Sequence, residues 1–303
     1  CVGRLNPPKP FAGLRENFDV LVVAISVAMA FRAYFYQPFK IPTGSMQPTL
    51  YGIHSEARAP SAATLLDRQP LKFAKWLITG ESFKIVRAKA SGTVNFMPSD
   101  SSKKPGYMPV VVAGVPHYVP NDAVEADAYR RPVRLKGGVA NGASVKAGEV
   151  LWSGVVISGD FVFVNRWKWN FAHPTRGEVM VFSTTGIQAL MQGTHYIKRM
   201  TGLPNETLQV KAPHLLVNGE AVTRPLRIGQ IARKETVWPG HPAYAGFNPS
   251  GTRQVYLPGQ SLAGESDRVT LKADEYYAMG DNSFNSFDSR YWGPVPERNL
   301  LGP

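Results

Sequence analysis

The stretch Gln37–Leu50, which reads QPFKIPTGSMQPTL, contains a serine in a setting that could present a nucleophile. Gly44 directly precedes Ser45 and permits backbone angles that a side chain would forbid. Pro42 and Pro48 each fix one φ angle and lack an amide donor, so the pattern predicts a stiff extended turn that displays Ser45. Stretches rich in Pro, Gly, Ser and Thr are more often linkers, so a catalytic Ser45 depends on partners elsewhere in the chain.

A serine nucleophile needs a base to take its proton, and the usual partners are missing from the sequence. No GxSxG elbow or convincing Ser/His/Asp order occurs, and Pro48 stands where an SxxK motif would need its lysine. The six histidines form no HxxxH or HExxH pair, so we predict neither a metal site nor a cofactor. The remaining option is a distant lysine as the base. Lys198 lies in the strand-like run HYIKRM, where a lysine considered alone is most often a solvated strand residue.

The bulk composition favours a mainly β protein that meets an anionic surface. The 303 residues are 44% hydrophobic and 18% charged, with 28 Gly, 25 Pro and many valines. The net charge of +12 would suit nucleic acid or an anionic membrane equally well. No RNA-binding aromatic motif, zinc-finger spacing or basic helix repeat is visible, so we predict a membrane partner and no nucleic acid.

The N-terminal region has the pattern of a membrane anchor. Residues 1–16 are polar and predict a cytoplasmic tail, and residues 17–38 predict a transmembrane segment. Its central 19 residues would span about 28 Å as a helix, with Arg32 reaching toward one end. Positive charges before the segment favour an N-inside orientation, which would place Ser45 just outside the membrane. The alternative is a buried core helix.

The rest of the chain has strand and turn patterns. Residues 53–158 predict an inserted β-rich subdomain with a helix around Leu71–Ile78. Two of its pieces resemble biotinyl or lipoyl carriers, but the lysine loop of those carriers is absent, so no carrier function follows. Strand patterns recur at 159–166, 176–182 and 195–210, and Asn218-Gly219 predicts a hairpin within a cap region at 211–271.

Four ordered segments together resemble one protease family. PFKIPTGSMQPTL, RGEVMVF, YIKRMTGLPNE and GDNSFNSFDSRYWGPVP are similar, in this order, to the conserved boxes of the type I signal peptidases, or leader peptidases. These are membrane-anchored serine proteases that remove signal peptides from exported preproteins. The resemblance covers less than half of the chain. It implies a signal-peptidase-like β catalytic core assembled from residues 39–52, 159–210 and 272–303.

The resemblance implies a Ser/Lys dyad with Ser45 as the nucleophile and Lys198 as the general base. At the ordinary lysine pKa of about 10.4, only about one side chain in 2,500 is neutral at pH 7. Burial near Ile197 and Met200 must therefore lower the pKa of Lys198. A pKa of roughly 8 would make about one lysine in ten neutral and able to accept a proton.

The same resemblance implies supporting roles for five further residues. The hydroxyl of Thr43 would form the oxyanion hole together with the Ser45 backbone N–H. Ser286 would orient the lysine ammonium. Asp288 and Arg290 would form a structural ion pair, and Gly280 would permit the close approach of their loop.

The family resemblance also implies substrate and location. Preproteins with small residues at positions −1 and −3 would lie as an extended strand along Phe39–Pro42 and a strand around Gly177–Phe182. Trp292 and neighbouring aromatic residues would enter the bilayer interface. The implied location is the bacterial plasma membrane with the catalytic domain on its outer face, in an oligomeric state that the sequence does not indicate.

Several positions depart from the family pattern. Ser283 stands where the family commonly has arginine, Phe284 follows it as a bulky residue, and Asn205 replaces a usual glycine. An insertion of 106 residues, Ile53–Ser158, separates the serine box from the next strand. None of these changes removes a dyad group.

Three alternative functions are compatible with parts of the sequence. A catalytically impaired membrane protein could bind signal peptides without cutting them. A Ser/Lys self-cleaving protease of the SOS-repressor type would need an N-terminal helix-turn-helix, where this chain has an apolar segment. A soluble nucleic-acid-binding β protein would explain the charge but not the four boxes.

Overall fold

The computed structural model describes residues 11–97, 104–126, 131–251 and 259–303, and helix α1 (Ala12–Tyr34) opens this part of the chain. Within the described residues, α1 is the one helix that is long and apolar enough to cross a membrane, and the apolar window within Gly13–Tyr34 is wholly unburied. Its 22 residues would span about 33 Å, which matches a hydrocarbon core. The helix ends four residues before the predicted anchor boundary, because the chain becomes a strand at Tyr36 and Pro38 cannot continue a helix.

The rest of the regular structure is mainly strand, which confirms the predicted fold class. In chain order, the strands of the described residues are β1 (Tyr36–Lys40), β2 (His54–Ala57), β3 (Glu81–Arg87), β4 (Gly92–Phe96), β5 (Tyr107–Val112), β6 (Val115–Pro120), β7 (Val124–Ala126), β8 (Pro132–Leu135), β9 (Ser144–Val145), β10 (Val150–Ile157), β11 (Phe161–Asn165), β12 (Val179–Ser183), β13 (His195–Gly202), β14 (Thr207–Lys211), β15 (His214–Val217), β16 (Glu220–Ala221), β17 (Val269–Thr270), β18 (Glu275–Met279), β19 (Val295–Pro296) and β20 (Leu300–Gly302). The α-helices after α1 are α2 (Leu71–Thr79), α3 (Leu226–Ala232) and α4 (Ser289–Trp292).

A five-stranded antiparallel sheet, in the order β19-β18-β13-β12-β20, carries Lys198 on its middle strand. Met180 of β12 lies opposite Lys198, and Arg199 of β13 lies opposite Met279 of β18. Buried apolar side chains from these strands and their connections form a core against the sheet: Met180, Phe182, Ile187, Leu190, Met200, Tyr276, Ala278, Trp292 and Val295. The middle strand pairs with β12 over residues 195–199 and with β18 from Arg199 onward, so it is held on both sides directly after the lysine.

Trp292 belongs to this core, so the prediction that it enters the bilayer interface is wrong. Its side chain is fully buried, and its ring lies 5.7 Å from the ring of Phe182. The four-residue helix α4 directs the indole toward β12. The large apolar surface of the indole is therefore buried in the protein core and not in lipid.

A second sheet, in the order β16-β15-β14-β17, forms the cap region together with α3. Val217 pairs with Glu220 across a two-residue loop, as the Asn218-Gly219 pattern predicts. Both loop residues have positive φ, 52° and 89°, which is the conformation that this hairpin turn requires. Ile228 and Ile231 of α3 pack into the core of this sheet.

The insertion has a core of its own. Its strands form sheets in the orders β2-β10-β3, β6-β5-β4-β9 and β7-β8, and the buried residues of its core all lie between Ala88 and Val156. The predicted helix around Leu71–Ile78 is present as α2. The boundaries 53–158 remain a prediction, as do the other domain limits.

The insertion returns the chain beside the segment from which it left. Two hydrogen bonds join Tyr51 and Asp160. In the first, the Asp160 N–H donates to the Tyr51 carbonyl at 2.9 Å. The Tyr51 N–H donates in turn to the Asp160 carboxylate at 2.7 Å. The 106 residues therefore leave and re-enter at one point. The turn that carries the predicted nucleophile Ser45, here named the nucleophile turn, adjoins β11 as though the insertion were absent.

Candidate active site

Ser45 lies on a short 3-10 helix, Gly44–Met46, and not on the fully extended turn that the prolines predict. The tight turn is closed by the Gln47 N–H, which donates to the Gly44 carbonyl, and by the Thr49 N–H, which donates to Met46. Ser45 is buried together with Met46. Pro42 and Pro48 bound the turn, and the segment does not continue α1, as the sequence predicts.

Lys198 approaches Ser45 from the sheet. Its Nζ lies 2.8 Å from the Oγ of Ser45, although 153 residues separate the two positions, and it also donates to the Ile197 carbonyl at 2.9 Å. The lysine side chain is buried, and its ammonium lies 5.5 Å from the ring centre of Tyr196. The sequence-predicted pair therefore meets in the structure in hydrogen-bonding geometry.

The environment of Lys198 favours the neutral amine. Desolvation by burial lowers the pKa of Lys198 to about 8, with a smaller opposing effect from the Asp288 carboxylate and a smaller reinforcing one from Arg290. At that pKa about one side chain in ten is neutral at pH 7, compared with about one in 2,500 for an ordinary lysine. A neutral amine at 2.8 Å can accept the serine proton.

The loop at 280–290 holds the nucleophile turn from behind. The Asn282 N–H donates to the Ser45 carbonyl at 3.0 Å, and the Asn282 side chain donates to the Gly44 carbonyl at 3.3 Å. A Cβ on Gly280 would lie 2.5 Å from the Ser45 carbonyl and 2.2 Å from the Ser286 Oγ. A glycine is therefore required at position 280 for the close approach that the resemblance implies.

Asp288 and Arg290 form a fully buried ion pair within the same loop. Arg290 Nε and one NH2 group of its guanidinium each donate to the Asp288 carboxylate at 2.8 Å. The carboxylate also accepts the Gly280 N–H at 2.9 Å, and Arg290 donates to the Ser283 carbonyl at 2.9 Å. This bidentate pair with its additional bonds fixes the path of the loop.

Ser286 and Thr43 are placed near the dyad without the bonds that their predicted roles would use. Ser286 is buried, and its Oγ has no hydrogen-bond partner within the part of the chain that the structure describes. Lys198 donates to Ser45 and Ile197, not to Ser286. Thr43 is exposed on an extended backbone two residues before the serine. The roles of both residues remain predictions.

A second buried ion pair, which sequence reasoning missed, lies directly beside the dyad. Arg199 follows Lys198 on β13 and donates to Asp281 from Nε at 2.6 Å and from NH2 at 2.5 Å. Thr49, four residues after the nucleophile, donates to the same carboxylate and contacts the Tyr244 hydroxyl at 2.7 Å. The adjacent dipeptides Lys198-Arg199 and Gly280-Asp281 are the only signal that could have indicated this link between strand and loop.

The two unusual loop residues have different surroundings. Ser283 is buried, donates to the Gly246 carbonyl at 2.7 Å and accepts a bond from the Asn248 side chain at 2.8 Å. Phe284 is exposed. The position of the family arginine is therefore filled here by a neutral hydrogen-bonding group that joins the loop to the cap region. Asn205 adopts a positive φ of 64°, the left-handed conformation that the usual glycine would supply.

Two strand edges flank the dyad. Among the strands of the described residues, β1 pairs with β11 alone, and residues 195–198 of β13 pair with β12 on one side before β18 joins the other side at Arg199. The rings of Phe39 and His195 are 5.3 Å apart, so these edges are close together. The predicted wall around Gly177–Phe182 is wrong at Val181 and Phe182, because β20 covers the outer side of β12 there.

Comparisons with known proteins find similarity to signal peptidases. A family model described as "Signal peptidase, peptidase S26" matches residues 153–303. Signal peptidase I P of Bacillus subtilis subsp. natto is 27% identical over 135 residues, which cover 45% of this chain and 59% of that protein. Signal peptidase I of Leptolyngbya laminosa is 32% identical over 148 residues, covering 47% and 57% of the two chains. Signal peptidase I of Pseudomonas aeruginosa is 31% identical over 168 residues, covering 48% and 56%.

The matched regions cover only part of this chain and only part of each curated relative. The chain spans less than two thirds of the length of each of these three curated relatives. A solved signal peptidase I from Enterococcus faecalis V583 aligns with 43% of this chain and 96% of that chain, at 24% identity and a TM-score of 0.29. The family match covers the sheet that carries Lys198 and the loop that carries Asp288 and Arg290. Residues 153–303 of this chain therefore belong to the signal peptidases of peptidase family S26.

Proposed function

We propose that this protein is a membrane-anchored serine endopeptidase that removes signal peptides from exported preproteins, with Ser45 as nucleophile and Lys198 as general base. The observation that supports it most directly is the 2.8 Å contact between the buried Lys198 Nζ and the Ser45 Oγ. A buried lysine paired with a serine hydroxyl, and with no carboxylate within hydrogen-bonding distance among its described contacts, is suited to proton abstraction.

The reaction would proceed through an acyl-enzyme. Neutral Lys198 takes the Ser45 proton as Oγ attacks the scissile carbonyl carbon, and the carbonyl oxygen becomes an oxyanion. The Ser45 N–H and the Thr43 hydroxyl would donate to that oxyanion, each lowering the barrier by roughly 3 kcal/mol. The Lys198 ammonium then returns its proton to the leaving amine as the peptide bond breaks. Water deprotonated by Lys198 attacks the ester, and Ser45 regains its proton.

The substrate would bind as an added strand between the two free edges beside the dyad. An extended peptide could use the backbone groups of β1 on one side and those of residues 195–198 on the other. Phe39 and Ile197, which are both half-buried, supply apolar surface along this path, which suits the small side chains expected at positions −1 and −3. Lys198 itself ends the free edge, so the scissile bond would lie where the peptide passes Ser45.

The location would be the bacterial plasma membrane, with α1 as the anchor and the catalytic sheet on the outer face. The support for this is the apolar and wholly unburied window of α1, together with the basic residues that precede it in the sequence. α1 ends only eleven residues before Ser45, which keeps the nucleophile near the membrane surface.

The test is cleavage of a preprotein with a small–x–small site by the full-length protein in lipid vesicles. Wild type should release the mature protein, with the new N-terminus identified by sequencing, whereas Ser45→Ala and Lys198→Met should each lose activity by at least about three orders of magnitude. Ser144→Ala and Lys272→Met, which change an exposed serine and an exposed lysine, are the matched controls. Binding of the preprotein without cleavage by wild type would favour the impaired signal-peptide-binding alternative.

A further inference from the structure

Helix α2 of the insertion presents its apolar side chains to solvent and its charged side chains to the protein. Lys72 Nζ donates to the Phe83 carbonyl at 2.9 Å, and Lys75 pairs at 2.8 Å with Asp67, whose side chain is only 5% exposed. A surface helix of a globular protein normally has the reverse arrangement. The outward face carries five exposed residues, Leu71, Phe73, Trp76, Leu77 and Ile78.

Two leucines of the preceding turn extend this face. Leu65 and Leu66 lie on a 3-10 helix that contacts α2, and both are exposed. Ile78 and Leu77 are 83% and 68% exposed, and the rings of Phe73 and Trp76 lie 5.9 Å apart. We name these seven residues the α2 patch. Soluble monomers seldom expose a contiguous apolar patch of more than a few hundred Å², so a patch of this kind indicates a partner.

The chemistry of the surroundings fits a lipid surface. Between residues 53 and 97 the chain has seven Lys or Arg residues and three Asp or Glu residues. The Trp76 indole N–H is held at its polar end by the Ser158 hydroxyl at 3.2 Å, while the rest of the side chain belongs to the exposed face. Apolar and aromatic residues beside basic ones are typical of helices that lie in the headgroup layer of anionic bilayers.

An exposed aromatic track connects the α2 patch with the anchor helix. Ser158, which holds Trp76, is followed three residues later by β11, and the track comprises the exposed residues Phe161, Phe163, Trp167 and Phe171. Trp167 stacks on Phe171 at 5.2 Å and on Phe35, directly after α1, at 4.7 Å. Exposed apolar side chains therefore recur along the chain from the end of the insertion to Trp167, which stacks on Phe35 at the end of the candidate membrane span.

We propose that the α2 patch lies in the interfacial layer of the same bilayer that holds α1, so that the insertion provides a second membrane contact. The proposal rests on the membrane anchor of the proposed function. A second copy of the chain is a poorer occupant, because two patches brought face to face would also bring together two surfaces with a basic excess. Anionic lipid headgroups would instead neutralise that excess.

Depth-dependent fluorescence quenching tests this proposal in the full-length chain. In a Cys1→Ser background, single cysteines at Ile78, Ser144 and Val27 are labelled with an environment-sensitive fluorophore. Each protein is placed in nanodiscs of phosphatidylethanolamine and phosphatidylglycerol with nitroxide-labelled lipids, at one copy per disc. Ser144 is an exposed position of the insertion on β9, and Val27 lies in the middle of α1.

The Ile78 label should be quenched several-fold more strongly than the Ser144 label, most by nitroxides near the headgroup, and its emission should shift to the blue. Leu77→Ser in the Ile78-labelled protein should reduce that quenching. Quenching at Val27 but no more at Ile78 than at Ser144 would overturn this proposal and leave the anchor intact. Absence of quenching at Val27 would overturn the anchor and this proposal together. If the Ile78 label is shielded from solvent only in discs that hold two copies, the patch binds a second copy of the chain, and this proposal is also overturned.

Discussion

Lys198 illustrates at the residue scale how burial adapts an ordinary side chain to chemistry. Desolvation lowers the pKa of its ammonium to about 8, and the more distant carboxylates of Asp288 and Asp281 offset only part of that effect. Because the pKa is about 10.5 in the unfolded chain, the unfolded state binds more protons between pH 8 and 10.5. Stability therefore rises with pH across that window, and below it the buried ammonium costs the folded state about 3 kcal/mol.

The pH dependence of cleavage follows from the same pKa. Only the neutral amine can take the serine proton, so kcat/KM should rise about tenfold per pH unit up to a pH of about 8 and level off above it. Initial cleavage rates of a preprotein in vesicles, measured between about pH 6 and 10, check this expectation. A profile that is flat from pH 6 to 8 would show that the protonation of Lys198 does not control the rate.

At the scale of elements, the site depends on one loop, residues 280–290, that joins the catalytic sheet, the nucleophile turn and the cap region. Asn282 contacts the turn, Asp281 contacts β13 through Arg199, and Ser283 contacts Gly246 in the cap. Each contact uses a buried polar group, so the loss of one partner leaves the other without a bond in a dry environment.

Replacement of Ser283 tests that dependence. Ser283→Ala removes the donor to the Gly246 carbonyl and the acceptor of the Asn248 amide, so we expect the free energy of unfolding to fall by roughly 1–3 kcal/mol. Denaturant unfolding of the full chain in detergent measures the change. Phe284→Ser, at the exposed neighbour, is the control and should stay within about 0.5 kcal/mol of wild type. Equal losses for the two variants would contradict the structural role of Ser283.

The sequence predicts elements well where the signal is local. The Asn218-Gly219 turn and the helix near Leu71 follow from neighbouring residues alone, because turn geometry and helix periodicity act over a few positions. The bond between Arg199 and Asp281 joins residues 82 positions apart, and the burial of Trp292 depends on the packing of α4 against a distant strand. The family resemblance predicts the pairing of Ser45 with Lys198, but not the neutral contacts of Ser283 or the outward apolar face of α2.

At the scale of the whole molecule, the two ends of the 106-residue insertion lie together, where Tyr51 is bonded to Asp160. The insertion therefore adds a folded unit without displacing the nucleophile turn. Its exposed apolar helix and the aromatic track beside α1 give the chain two regions suited to a bilayer. In sequence, only β1 and the turn that carries Ser45 lie between α1 and the insertion, and the sheet that carries Lys198 follows both.

The connection between anchor and catalytic region should control which preproteins are cut. Consider a series of preproteins that differ in the distance between their apolar segment and their cleavage site. Insertion of Gly-Ser-Gly between Phe35 and Tyr36 should make the cleavage rates of these preproteins more similar to one another. The rates for such a series, measured in vesicles, check this expectation. The same insertion between Ala113 and Gly114, in an open turn of the insertion, is the control. An unchanged preference in the first variant would show that the connection has no such role.

α1 ends at Tyr34 and β1 begins at Tyr36, so a single residue, Phe35, joins them. Its carbonyl accepts the Arg166 N–H at 3.0 Å, and its ring stacks on Trp167. A connection this short and this firmly held leaves little freedom of movement between α1 and β1. If α1 spans the bilayer as proposed, this connection would set the height of Ser45 above the lipid, and the apolar segment of a signal peptide in the same bilayer would be positioned from the same surface.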